Sequence, residues 1–247
     1  MGDKKYVKLK PAKMGFEFLG VVKPKRRSML VAAFETIKRD MGASWNSRLE
    51  GKEVFWLNIW QDEADIEEDS DVMGISDPEI AKSLDKWSRK AALKYCGSNA
   101  IIDGYGFAVN PMGSEYQPWH IDYATDCANV FIPITPHTEK NAMQYITLPP
   151  DTPEDVLEQV ASDTDKVDID ALERGVDYLI VQQVIAKPMS VLLMGRGTIH
   201  RGVPNTGEDQ RVTFYISVHY IKDYDKNYPY DSDSLQEPEH GVVTIRE

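Results

Sequence analysis

Residues 211–220 read Arg211-Val-Thr-Phe-Tyr-Ile-Ser-Val-His-Tyr220. Arg211, Thr213, Tyr215 and Ser217 alternate with Val212, Phe214 and Ile216. Successive side chains on a strand point to opposite faces, so the run predicts a strand with one polar and one apolar face. Upstream lie further short runs rich in β-formers and separated by turn residues: Ile101–Val109, Ala128–Ile134, Met143–Leu148, Tyr178–Ile185 and Ser190–Leu193. The first hundred residues read instead as mainly helical. Met29 to Met41 is apolar at helical intervals and stops at Gly42. Ser76-Asp-Pro-Glu79 reads as a capping box with an early proline, opening a helix that carries Ile80, Leu84, Trp87 and Leu93 towards a core and ends at Gly97. Helices first and strands after predict a mainly β protein: a jelly-roll barrel with N-terminal helical support. We expect one domain over residues 1–247: a helical flank (1–100), a jelly-roll core (101–221) with an insertion at about 150–176, and a C-terminal tail (222–247) that is a possible lid. Thr152-Pro-Glu-Asp155 is expected to cap a short helix in the insertion.

A polar strand face inside an apolar barrel needs a partner, because burying an unpaired polar group costs about 2–7 kcal/mol. Arg211, a fixed-charge fork donor, suits a carboxylate. A metal site lies nearby in the chain. His120-Ile-Asp122 puts an imidazole and a carboxylate on one strand face, and His200 from a neighbouring strand completes a facial set of two histidines and one carboxylate. That set suits Fe(II) and leaves open coordination positions. His137 competes as a ligand, but its loop, Thr135-Pro-His-Thr-Glu-Lys140, is expected to be an exposed turn. His219 is expected to be structural, and His240 a bystander in the polar tail.

These residues carry a family resemblance. His120-x-Asp122, His200, Arg211 and Thr213 resemble the non-haem Fe(II)/2-oxoglutarate-dependent dioxygenases, in particular the phytanoyl-CoA dioxygenase-like branch. Residues 110–123, from Asn110-Pro-Met-Gly to Trp119-His-Ile-Asp-Tyr123, are similar to that branch's run into its first metal strand. His200-Arg-Gly-Val-Pro-Asn205 through Thr213 is similar to its last ligand strand. Many members continue with Asn-Gly-x-Leu and Pro-Gly-Ser-His, whereas this chain has Asn141-Ala-Met-Gln-Tyr-Ile-Thr-Leu-Pro-Pro150, a divergence in the substrate-facing region. The resemblance implies a double-stranded β-helix with Fe(II) on His120, Asp122 and His200. It also implies 2-oxoglutarate and O2 as co-substrates, with Arg211 and Thr213 on the distal carboxylate. Gln117 is a candidate for the keto-acid end, or for capping a turn. Arg196, between Gly195 and Gly197, is a candidate to hold an acidic substrate, or a surface-loop residue. The implied reaction oxidises an unactivated C–H of a small metabolite by hydroxylation, desaturation or ring closure. An amino- or carboxylic-acid-type compound of a biosynthetic pathway is the expected substrate. Asp122 argues against halogenation, since related halogenases carry a small residue there.

Formal net charge is −12 over 247 residues, which disfavours nucleic acid and anionic membrane as partners. A small-molecule substrate and a monomer or homodimer are the expectation. The basic stretch 4–27 and the acidic stretch Asp62–Asp71 read as solvated surface. Two cysteines without a Cys-x-x-Cys, no apolar leader and no apolar stretch of membrane-spanning length lead us to expect a cytoplasmic protein. Trp119 and Tyr123 have strand parity opposite to the ligands and are expected to pack in the core. Trp45, Phe55, Trp56 and Trp60 read as core or a helix–barrel contact, with a pocket wall as the other reading. Two rivals remain open: a non-catalytic jelly-roll binding protein, and a Zn or Mn cupin-like isomerase or hydrolase that would have no use for Arg211.

Overall fold

The computed structural model describes residues 15–61, 73–97, 100–122, 127–148, 167–175, 179–195 and 197–220. Two antiparallel sheets face each other. The larger has the strand order β1 (Phe16–Val21), β7 (Ser190–Met194), β4 (Cys127–Pro133), β9 (Arg211–Tyr220), β3 (Ala100–Asn110) and β2 (Phe55–Gln61). The smaller has β6 (Ile180–Gln183), β5 (Gln144–Thr147) and β8 (His200–Arg201). This is the jelly-roll architecture expected from the strand pattern. Two strands correct the expectation of a helical flank: β1 and β2 lie within the first hundred residues and form both edges of the large sheet.

Helices back the outer face of that sheet. Helix α1 (Pro24–Met41) starts with proline in its first turn, ends at Gly42 with φ +54°, and buries Leu30, Ala33, Phe34 and Ile37. Helix α2 spans Ala43–Glu50 and buries Trp45. Helix α3 (Pro78–Cys96) is capped by Asp77, not Ser76; the Asp77 carboxylate accepts from Glu79 N at 3.0 Å and Ile80 N at 3.1 Å. Leu84 is fully buried and Trp87 packs on Phe214, while Leu93, expected in the core, is 46% exposed. A short helix, α4 (Ile169–Gly175), lies in the expected insertion, and its Leu172 packs with Ile121, Ile146 and Ile199. No described helix is long and apolar enough to cross a membrane. The caps expected at Thr152–Asp155 and the tail from residue 222 lie outside the described residues.

Strand β9 keeps the predicted alternation. Val212, Phe214, Ile216 and Val218 join the core under the helices, and Tyr215 joins the cluster between the sheets with Phe131, Met143 and Tyr145. Two β-bulges interrupt the inner face. The register of β2 against β3 shifts between Asn58 and Trp60, and that of β3 against β9 between Ile102 and Gly104. Each inserted residue reverses the parity that follows it. Trp60 and Tyr105, cross-strand partners, therefore stack on the helical side with centroids 6.1 Å apart, and the next pair, Gln61 and Gly104, faces inward. Gly106 is required for a separate reason: any Cβ there would collide with the Leu57 backbone of β2.

Candidate metal centre

His120 and His200 sit directly opposite each other as a bridge closed by two backbone hydrogen bonds, His120 N to His200 O at 3.0 Å and His200 N to His120 O at 2.9 Å. Side chains of such a pair share a face, and the two rings are 4.3 Å apart between centroids. Asp122 follows two residues later in a bend rather than on a continuous strand, yet on the same side. Its Oδ1 lies 3.3 Å from His120 Nε2 and 3.2 Å from His200 Nε2. All three donor atoms lie within 4.8 Å of one another. Ligand bonds of about 2.1 Å meeting at right angles would place donor atoms about 3.0 Å apart, close to what is seen.

The surroundings prepare these atoms for a cation. His120 Nδ1 is 2.8 Å from Pro118 O, and His200 Nδ1 is 2.9 Å from Thr198 O. A carbonyl can only accept, so each Nδ1 carries the proton and each Nε2 can present its lone pair to the centre. Asn129 Nδ2 donates to Asp122 Oδ2 at 2.6 Å, and Ser217 Oγ donates to Asn129 Oδ1 at 2.6 Å. Oδ1 is thus left for the ion. Burial pushes the Asp122 pKa up, but attraction to the neighbouring imidazoles when they are protonated, His200 foremost, outweighs it and holds the carboxyl well below the usual range. Two lone pairs and a carboxylate oxygen at this spacing fit a divalent metal.

Arg211 is 5% exposed and Thr213 4% exposed, both further along the inner face of β9. The Arg211 guanidinium donates to Asn141 O, and no described carboxylate pairs with it. Burial pushes its pKa down to about 10, so it stays charged at neutral pH. His137 corrects the expectation of an exposed turn. It is 1% exposed, bridges to Ala186, and places Nε2 2.8 Å from Thr213 Oγ1. Burial first, then the Arg211 charge, pushes its pKa well down, so the ring is neutral. Gln117 is engaged: its Oε1 accepts from Gly202 N at 2.9 Å and pins the segment leading into His120 beside the chain that follows His200, leaving Nε2 as the group available to a ligand. Arg196 and Tyr123 lie outside the described residues. Trp119 packs partly with Ile121 and Ile199, and its outer face carries Arg201 at 4.3 Å. His219 is paired with Asp103, in keeping with a structural role.

A cavity of about 350 Å³ opens beside Asp122, lined by Trp56, Asn58, Gln61, Asp103, Asn129 and Ser217, with Phe131 and Tyr215. Trp56 thus takes the pocket-wall reading. Trp45 and Phe55 are core, and Trp60 packs on the helix side. Asn58, Asp103 and Asn129 are not among the sequence candidates; an isolated polar residue within the otherwise apolar runs of β2, β3 and β4 was the available signal.

No family model and no curated protein matches the chain. Solved structures do. Its fold is that of AviO1 from Streptomyces viridochromogenes Tue57, at TM-score 0.51 and 16% identity over 84% of this chain and 90% of that one. The non-heme alpha ketoglutarate dependent carbocyclase SnoK from nogalamycin biosynthesis aligns at TM-score 0.56 and 14% identity, over 84% and 81%. HygX from Streptomyces hygroscopicus, solved with nickel and 2-oxoglutarate bound, aligns at 0.50 and 10%, over 84% and 83%.

Proposed function

We propose that the protein is a non-haem Fe(II)- and 2-oxoglutarate-dependent oxygenase acting on an unactivated C–H bond of a small metabolite. The observation that carries this is the convergence of His120 Nε2, His200 Nε2 and Asp122 Oδ1, with both imidazole tautomers set by backbone carbonyls. A buried guanidinium without a carboxylate partner among the described residues supports it, because a diacid co-substrate gives that charge its counter-ion and an isomerase or hydrolase does not. The structures described above supply the fold analogy, including a carbocyclase from a biosynthetic pathway and a protein holding nickel and 2-oxoglutarate. Placement in the phytanoyl-CoA dioxygenase-like branch rests on the sequence runs around His120 and His200.

Bound iron would let O2 act as the four-electron oxidant, two electrons coming from oxidative decarboxylation of 2-oxoglutarate to succinate and CO2 and two from the substrate. The chain's own groups do the rest. Arg211 and Thr213 hold the distal carboxylate, and His137, behind Thr213, fixes the hydroxyl. Asn129 keeps Asp122 to a single ligating oxygen. The cavity beside Asp122 orients the C–H and excludes water. Anaerobic addition of Fe(II) and 2-oxoglutarate should give a visible metal-to-ligand charge-transfer band, and His200→Ala should abolish both the band and substrate-triggered succinate. Retention of succinate release by His200→Ala would refute the ligand assignment.

A further inference from the structure

The cavity beside the metal ligands has a feature that the oxygenase reading does not use. Asp103 is 7% exposed, lines the cavity, and sits at the bulge in β3 that also turns Gly104 inward. One of its carboxylate oxygens is bonded to His219 Nδ1. No other hydrogen bond to this carboxylate is seen among the described residues, and Asp103 lines the cavity. A carboxylate at a cavity wall with acceptor positions to spare can take an N–H or O–H from a ligand.

The rest of the wall has the same preference. Asn58, Gln61, Asn129 and Ser217 are uncharged donors and acceptors, and no lysine or arginine is among the described lining. The Trp56 ring, 43% exposed and edge-on to Tyr215 at 4.9 Å, offers a flat apolar face to ring C–H groups. A carboxylate substrate would meet Asp103 with no lysine or arginine among the described lining to offset it. We propose that Asp103 is the substrate-recognition residue of this site, and that the site takes a hydroxylated or aminated ring compound without negative charge. The inference rests on the cavity being the substrate site of the metal centre, and it points away from the carboxylic-acid class expected from the sequence.

Glucosamine, glucose and glucuronate share one ring and differ in charge, so they serve as probes. Saturation-transfer NMR on the metal-free full chain reads their binding without any turnover. Glucosamine and glucose should bind, and glucuronate at least about tenfold more weakly. Asp103→Asn should weaken glucosamine by about tenfold or more, since a charged hydrogen-bond acceptor is lost. Gln61→Leu is the second variant, should Asp103→Asn fold poorly, and is expected to weaken both neutral and cationic ligands about threefold. Binding of glucuronate as tightly as glucosamine, indifference of binding to both substitutions, or binding of none of the three overturns the proposal. The anaerobic charge-transfer band of the same wild-type protein is scored separately. Its absence alongside the predicted charge selectivity would sink the oxygenase reading and leave the binding class standing.

Discussion

Asn129→Ala isolates how much the candidate metal centre would depend on a residue outside its ligand set. The Asn129 amide donates to Asp122 Oδ2 at 2.6 Å and is itself held by Ser217. Without it, Oδ2 loses its donor and the carboxylate is free to rotate, so the bare site must be ordered when the ion arrives. A hydrogen bond to a charged group is worth about 1.5–3 kcal/mol. At about 1.4 kcal/mol per decade this corresponds to a metal affinity about 10–100-fold lower, in the range known for outer partners of metal ligands. Asn129→Asp should bind metal worse still, because it faces one carboxylate with another. Ser217→Ala, which removes only a neutral hydrogen bond, should lose no more than about tenfold. The assay is anaerobic Fe(II) or Co(II) titration against a competing chelator, with circular dichroism and Tm as folding controls. An Asn129→Ala protein with unchanged Tm and metal affinity within about twofold of wild type would refute the claim that this amide orders Asp122.

Other expectations test other parts of the molecule. Arg211→Met should weaken 2-oxoglutarate by about 100-fold or more in the anaerobic band titration, yet hold or raise Tm, because it removes a buried charge with no carboxylate partner among the described residues. Gly106→Ala should cost about 1–3 kcal/mol by forcing β2 off β3, at about 2–4 °C of Tm per kcal/mol in differential scanning calorimetry. His137 is neutral in the fold because burial, then Arg211, depresses its pKa, whereas the unfolded chain takes up a proton near 6.5. Its contribution is therefore complete above that pH and is lost on acidification, by up to about 1.4 kcal/mol per pH unit below 6.5. Urea midpoints at pH 7 and 5 should converge for His137→Gln relative to wild type.

Most of the strand framework was readable because β3, β4, β5, β7 and β9 are β-rich runs bounded by turn residues. Strand alternation led to His120 and Asp122 as candidates on one side, and the structure brings them together with His200, although Asp122 sits in a bend rather than on a strand. What escaped depends on distant chain. Phe16–Val21 contains a glycine and is only six residues long, so its pairing with β7 has no local signature. Phe55–Gln61 does alternate, but its aromatics are split between the helix-side core and the cavity wall, and a bulge breaks the pattern before Gln61. His137 was misplaced because Thr-Pro-His-Thr has turn chemistry, while its burial comes from Ala186, far along the chain. Ser76 and Asp77 were both competent caps, and only backbone geometry separates them.

The paired bulges of β2 and β3 have a consequence for how such a site diversifies. The bulge, rather than residue type, decides whether Trp60 and Tyr105 or Gln61 and Gly104 face the cavity. Straightening both strands with Ile59 and Asp103 kept in even alternation would turn Trp60 and Tyr105 inward and fill the chamber with aromatic bulk, whereas deleting Ile59 and Asp103 would leave Gln61 and Gly104 facing it. Changes that remove a bulge without changing residue count are thus a lever on the shape of the cavity, separate from His120, Asp122 and His200.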